Sequence, residues 1–133
     1  MHKTLHGLAL ASRGDDNPVH AGVLDALVAE GARLDYAAAL PDILLLSYPL
    51  VPSAPADASA DLLAVARDTA HAMAARGSGR IVFLLSAMAG LPARRHAGYS
   101  VAMATAMAGM RTLAMEFGPN VLVNAVGAGT IMD

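Results

Sequence analysis

A chain of 133 residues is long enough for one domain with a real core, and 56% hydrophobic against 15% charged residues excludes a disordered or highly solvated protein. With no cysteine there is neither a disulfide framework nor a thiolate metal site, and a formal net charge of −2 gives no electrostatic case for nucleic acid. No apolar run reaches the roughly 18 residues of a membrane span, and Met1-His2-Lys3 runs into a strand-like segment without a basic, leucine-rich leader. A single cytoplasmic domain over residues 1–133 is therefore expected.

Leu5 to Ser12 is a weak strand candidate, and Val23 to Glu30 reads as a helix stopped by Gly31. The run Asp42 to Ser47 is continuously apolar in its middle, the pattern of a strand covered on both faces of a parallel sheet. Pro49 to Ala56 is a loop. Asp57 to Arg76 is a helix with Leu62, Val65, Thr69 and Met73 on one face, ending before Gly77-Ser78-Gly79. Arg80 to Ser86 and Val121 to Val126 repeat the buried-strand pattern, and between them Tyr99 to Phe117 is a helix that stops at Gly118-Pro119. Strands alternating with helices predict a small doubly wound α/β sheet.

The helix from Tyr99 is unusual, because Thr105 is the sole polar side chain from Val101 to Met110. A helix apolar all round is expected to be buried all round. In a small α/β domain the sheet covers one face, so the other calls for a partner chain.

Four segments together resemble the second half of the short-chain dehydrogenase/reductase family. They are Gly79 to Gly90, Tyr99-Ser100, Leu113 to Pro119, and Val123-Asn-Ala-Val-Gly-Ala-Gly-Thr130. A fainter likeness covers Leu5 to Tyr36, where Ala26 to Arg33 looks like the end of the family's first helix. The resemblance implies a Rossmann-like parallel sheet, truncated to four or five strands. It also implies the chemistry of a serine and a tyrosine facing a substrate carbonyl. A lysine four residues after the tyrosine lowers the phenol's pKa and binds the nicotinamide ribose. Ser86 and Tyr99 match in type and spacing, but Met103 stands at the lysine position, and a thioether carries no charge and donates no hydrogen bond. The family's helix asparagine would fall near Ser59.

The nucleotide cradle departs further from the pattern. The family's glycine positions fall on Gly14, Pro18 and His20, while Asp15 and Asp16 put negative charge where a diphosphate would bind. Tyr36 is followed by alanines, with no acidic residue for the adenosine ribose. Pro41-Asp-Ile-Leu follows at once, as though one strand–helix unit were deleted. The family's Asn-Asn-Ala-Gly is replaced by Ser47-Tyr-Pro-Leu50, and the chain stops at Asp133, just past Ala128-Gly129.

These departures imply a pseudoenzyme: Ser86 and Tyr99 vestigial, no cofactor bound by this chain, and NAD held by a partner subunit. The expected partner is an intact paralogue, met through a four-helix interface in a hetero-oligomer such as a heterotetramer. The interface residues would be Leu62, Ala66, Met73, Met103, Ala106, Met107 and Met110. The subunit pattern resembles the hetero-oligomeric dehydrogenase of anaerobic toluene degradation, which oxidises 2-(hydroxy(phenyl)methyl)succinyl-CoA and has one subunit lacking the catalytic set. Two other readings stay open: a cofactor-independent isomerase or lyase using Ser86 and Tyr99, and a homodimeric binding module. Arg94-Arg95-His96 reads as a solvated basic turn. The five histidines have no ligand spacing, so no metal site is expected, and Gly14-Asp-Asp-Asn17 lacks the continuation of a calcium loop.

Overall fold

Asn17 starts the first helix. Its backbone is extended and its side-chain oxygen accepts the His20 N–H at 2.9 Å, while Pro18 supplies a pre-set φ at the first helical position. Helix α1 therefore spans Pro18–Ala29, beginning five residues before the apolar periodicity becomes visible at Val23. The computed structural model describes residues 4–52, 61–86 and 96–128.

The strands are β1 (Ala9–Gly14), β2 (Arg33–Leu34), β3 (Ile43–Ser47), β4 (Gly79–Ser86) and β5 (Val121–Ala128). All four pairings are parallel, in the order β2-β1-β3-β4-β5. The sequence alternation indicated this Rossmann-like architecture, but not β2, which pairs only with the first two residues of β1. Because β2 ends at the N-terminal edge of the sheet, residues 35–42 can return to β3 without a crossover helix.

β3 occupies the middle of the sheet and is buried at every residue. Alternation along it divides the core. Leu44 and Leu46 join Phe83, Ala66, Met73 and Met103 on the side of the remaining two helices, α2 (Leu62–Arg76) and α3 (Ala97–Phe117). Ile43 and Leu45 join Leu10 and Leu84 beneath Val23, Leu24 and Leu27 of α1. Residues 57–60, expected to open the second helix, lie outside the described residues. α1 leaves one strip of the sheet open, where Leu122 and Val126 of β5 are 46% and 44% exposed.

The inward stripe of α3 is Tyr99, Met103, Ala106 and Leu113, all buried. This corrects two expectations. The helix is not buried all round, since Val101 is 65% and Met115 85% exposed. And Leu62, Ala66, Met73, Met103 and Ala106, expected at an interface, are buried in this chain's own core, while Met107 and Met110 are half-buried at its margin. Periodicity located an apolar stripe, but on a helix apolar on several sides it could not say which stripe faces the sheet. Gly109 sits where α2 and α3 meet. A Cβ there would lie 2.8 Å from a Leu63 methyl, so the glycine allows the close approach despite costing about 1 kcal/mol of helix propensity.

Candidate functional site

In an open parallel sheet the ligand crevice lies beyond the C-terminal strand ends, where the strand order reverses. Here that point is between β1 and β3, whose parallel pairing runs out to Gly14 and Ser47. Gly14 ends β1 at φ +109, and a side chain there would drive into the Ser47 carbonyl opposite. The next amide extends the same ladder, Asp15 N–H donating to Ser47 O at 2.8 Å.

The N-terminus of α1 faces the same crevice, and two of its donors are committed while a third is missing. Pro18 has no N–H, that of His20 is held by Asn17 Oδ1, and that of Ala21 by the Asn17 carbonyl at 3.0 Å. Asn17 Nδ2 in turn donates to Asp15 Oδ2 at 2.9 Å, and the Asp16 side chain is fully exposed in the same turn. A dinucleotide pyrophosphate needs free amides and positive potential at this place. Spent donors and two carboxylates do not fit it.

His20, at the third family glycine position, is buried under α1. Its Nε2 lies 2.6 Å from the Ser12 hydroxyl, and its Nδ1 lies 3.4 Å from Asp16 Oδ1. With the ring proton on Nδ1, toward the carboxylate, Ser12 donates to Nε2. Serine, histidine and aspartate in this order have the logic of an activated nucleophile. Ser12, however, is 6% exposed and has the strand parity of Leu10, which packs beneath the helix. The pair tethers α1 to β1. Sequence reasoning aligned His20 to a glycine but missed its partner; strand parity through Leu10 and the helix start at Asn17-Pro18 were the available signals.

Ser86 and Tyr99 fall on different faces of the sheet. Ser86 ends β4 buried, with the parity of Leu84 on the α1 side, whereas Tyr99 belongs to the α2/α3 core with Met103. The Tyr99 hydroxyl is buried with no hydrogen-bond partner, so no bond joins it to Ser86. Ser47 and Tyr48 stand where the family has its asparagines. Both side chains are buried, and their hydroxyls also lack partners. Tyr48 stacks on Phe83 with ring centroids 5.9 Å apart, and Leu50 beside it is fully buried, so apolar packing fills this end of the crevice. Ser59, Arg94, Arg95 and Gly129 lie outside the described residues; His96 is half-buried just before α3.

Burial pushes the Tyr48 phenol up from its ordinary 10 to about 12. The folded protein thus keeps this proton where the unfolded chain has lost it, so stability is expected to fall as pH rises from about 10 toward 12. Tyr48→Phe should remove that alkaline loss. It should also leave stability at pH 7 unchanged or raise it by about 1 kcal/mol, since an unpaired buried hydroxyl is deleted without a cavity. Urea denaturation at pH 7 and pH 11 measures both effects.

Among the described residues no three His, Asp or Glu side chains are grouped to hold a metal, and no helix is long and apolar enough to cross a membrane. No family model matches the chain, and no curated protein matches it. Solved structures do. The chain is similar to NAD+-bound xylitol dehydrogenase, with a TM-score of 0.67 and 15% identity, over 96% of this chain and 72% of that one. It is similar also to a short-chain dehydrogenase from Burkholderia cenocepacia J2315 in complex with NADP, with a TM-score of 0.64 and 20% identity, over 94% and 73% of the two chains. The fold is therefore that of the short-chain dehydrogenases.

Proposed function

We propose that the chain is a non-catalytic subunit on the short-chain dehydrogenase fold, pairing through α2 and α3 with an intact paralogue that holds the nicotinamide nucleotide. The observation that carries this reading is the outward stripe of α3. Val101, Thr105, Ala108, Thr112 and Met115 recur at alternating spacings of four and three, one face of a helix. Both threonines turn their hydroxyls back onto the helix, Thr105 donating to Val101 O at 2.8 Å and Thr112 to Ala108 O at 3.0 Å. Their own polar groups being satisfied, they present methyl groups to a neighbour. The stripe is small in its middle, apolar throughout and exposed, which suits close helix–helix contact.

Beside it lies a groove of about 450 Å³ between α2 and α3, with Arg67 and Glu116 among its lining residues. A paralogue of the same fold offers the same pair of helices, making a four-helix interface. The acidic turn and the proline at the start of α1 support the other half of the reading: this chain holds no dinucleotide, and the partner supplies the NAD for oxidation of a CH–OH group. The setting in acyl-CoA or aromatic-compound breakdown, such as anaerobic toluene degradation, rests on the subunit pattern alone. Localisation in the cytoplasm is part of the same proposal. Tyr99, buried among apolar groups and unbonded to Ser86, disfavours an isomerase or lyase.

The test is native mass spectrometry after co-expression with an intact paralogue from the same genome. A hetero-oligomer is expected, and Ala108→Arg should weaken it at least 100-fold while leaving the fold unchanged, because Ala108 is exposed and a bulky cation there blocks contact. A homodimer that ignores the co-expressed dehydrogenase would sink the proposal in favour of a binding module. Separately, NADH is expected to show no saturable binding to the isolated chain; micromolar binding would overturn that half of the proposal.

A further inference from the structure

At the N-terminal edge of the sheet, opposite the crevice, a second cavity of about 280 Å³ opens between β1 and β5. Its lining includes Leu8, Ser78, Arg80, Pro119, Asn120 and Leu122. We propose that this cavity binds a short-chain organic carboxylate, with the acid group on Arg80 and the aliphatic chain along Leu8, Pro119 and Leu122.

Charge favours an anion. Asp42 also lines the cavity, but its carboxylate is engaged on both oxygens: Ala9 N–H donates to Oδ2 at 2.8 Å, and Arg76 Nη1 lies 3.7 Å from Oδ1. Arg76 is itself committed, donating to the carbonyls of Leu40, Pro41 and Ser78. What remains is Arg80, whose exposed guanidinium makes no hydrogen bond or ion pair among the described residues. An unpaired guanidinium is a two-pronged donor matched to a carboxylate. Ser78 and Asn120, whose side chains likewise have no partner among the described residues, add further donors at the same rim.

The apolar half is supplied by the sheet. Arg80 and Leu122 are direct neighbours in the β4–β5 ladder and share a face, the strip that α1 leaves uncovered. Leu122 there is 46% exposed. The floor is fixed from behind, since Gly79 lies against Met73 of α2 so closely that no side chain would fit. A cation, two neutral donors and an adjoining apolar wall are the few convergent polar groups on an apolar base that small-molecule sites use.

The experiment is a titration of the full chain with hexanoate, followed by amide chemical shifts. Saturable shifts are expected at Ser78 to Arg80 and at Asn120 to Leu122, with hexanol and inorganic phosphate each binding at least tenfold more weakly, for want of the charge and of the chain. Arg80→Gln should weaken hexanoate at least tenfold. Its side chain holds no other group, so the spectrum should otherwise be unchanged. Leu122→Asn should weaken hexanoate but not alter the response to phosphate. Shifts that do not saturate, equal binding of hexanol or phosphate, or full binding by the folded Arg80→Gln protein would each overturn the proposal.

Discussion

Met103→Lys is expected to produce no dehydrogenase and to lower stability by roughly 3–5 kcal/mol. The substitution restores the residue that a reactive tyrosine needs four positions on, and sequence alone makes it the obvious repair. The structure places that position 2% exposed in the core among Tyr99, Ala106 and residues of α2. An ammonium put there has no carboxylate to meet, and it either stays charged at a desolvation cost or gives up its proton. Nor does it repair the start of α1, where Pro18 lacks an N–H and Asp15 and Asp16 add negative charge. Urea denaturation and an assay of carbonyl reduction with NADH check the two halves. Measurable reduction by the variant would overturn the non-catalytic reading, and unchanged stability would show that Met103 is not in the core.

Gly14→Ala should cost about 3 kcal/mol or more, although Gly14 looks like the one survivor of a nucleotide-binding fingerprint. In that fingerprint a glycine lets the backbone approach a phosphate. Here the approach is to the Ser47 carbonyl, which a Cβ would strike, and φ at +109 adds strain for any side chain. Gly22→Ala is the control. It lies inside α1 with nothing within 4 Å of the added carbon, so helix propensity should raise stability by about 0.5–1 kcal/mol. If the two variants unfold at the same urea concentration, the approach of Gly14 to the Ser47 carbonyl is not what requires the glycine.

The same contrast runs through the rest of the chain. β3, β4 and β5 were legible because short apolar runs of strand length, too short for helices, fit a parallel sheet, although the pattern did not show that α1 leaves one face of β5 open. β2 was not, since Arg33-Leu34 is two residues whose pairing depends on where β1 lies. Helix α1 was legible only from its apolar middle. Its true start depends on a capping bond whose partner lies three residues away, although Asn17-Pro18 was the signal to read. Ser12 and His20 meet because β1 and α1 stack, eight residues apart in the chain, and no spacing rule marks such a pair.

By itself, then, the sequence determined the parallel α/β architecture, the methionine four residues after Tyr99 and the acidic turn at Asp15-Asp16. Those are matters of residue type and local period, which burial and charge impose directly. Only the tertiary structure decided which stripe of α3 is core and which is free. It also decided that Gly14 meets the Ser47 carbonyl across the ladder and that Arg80 stands unpaired among the described residues at the opposite edge. Each of these depends on which segments pack together, and a helix apolar on several sides, or an arginine among other charges, carries no local mark of the neighbour it will meet.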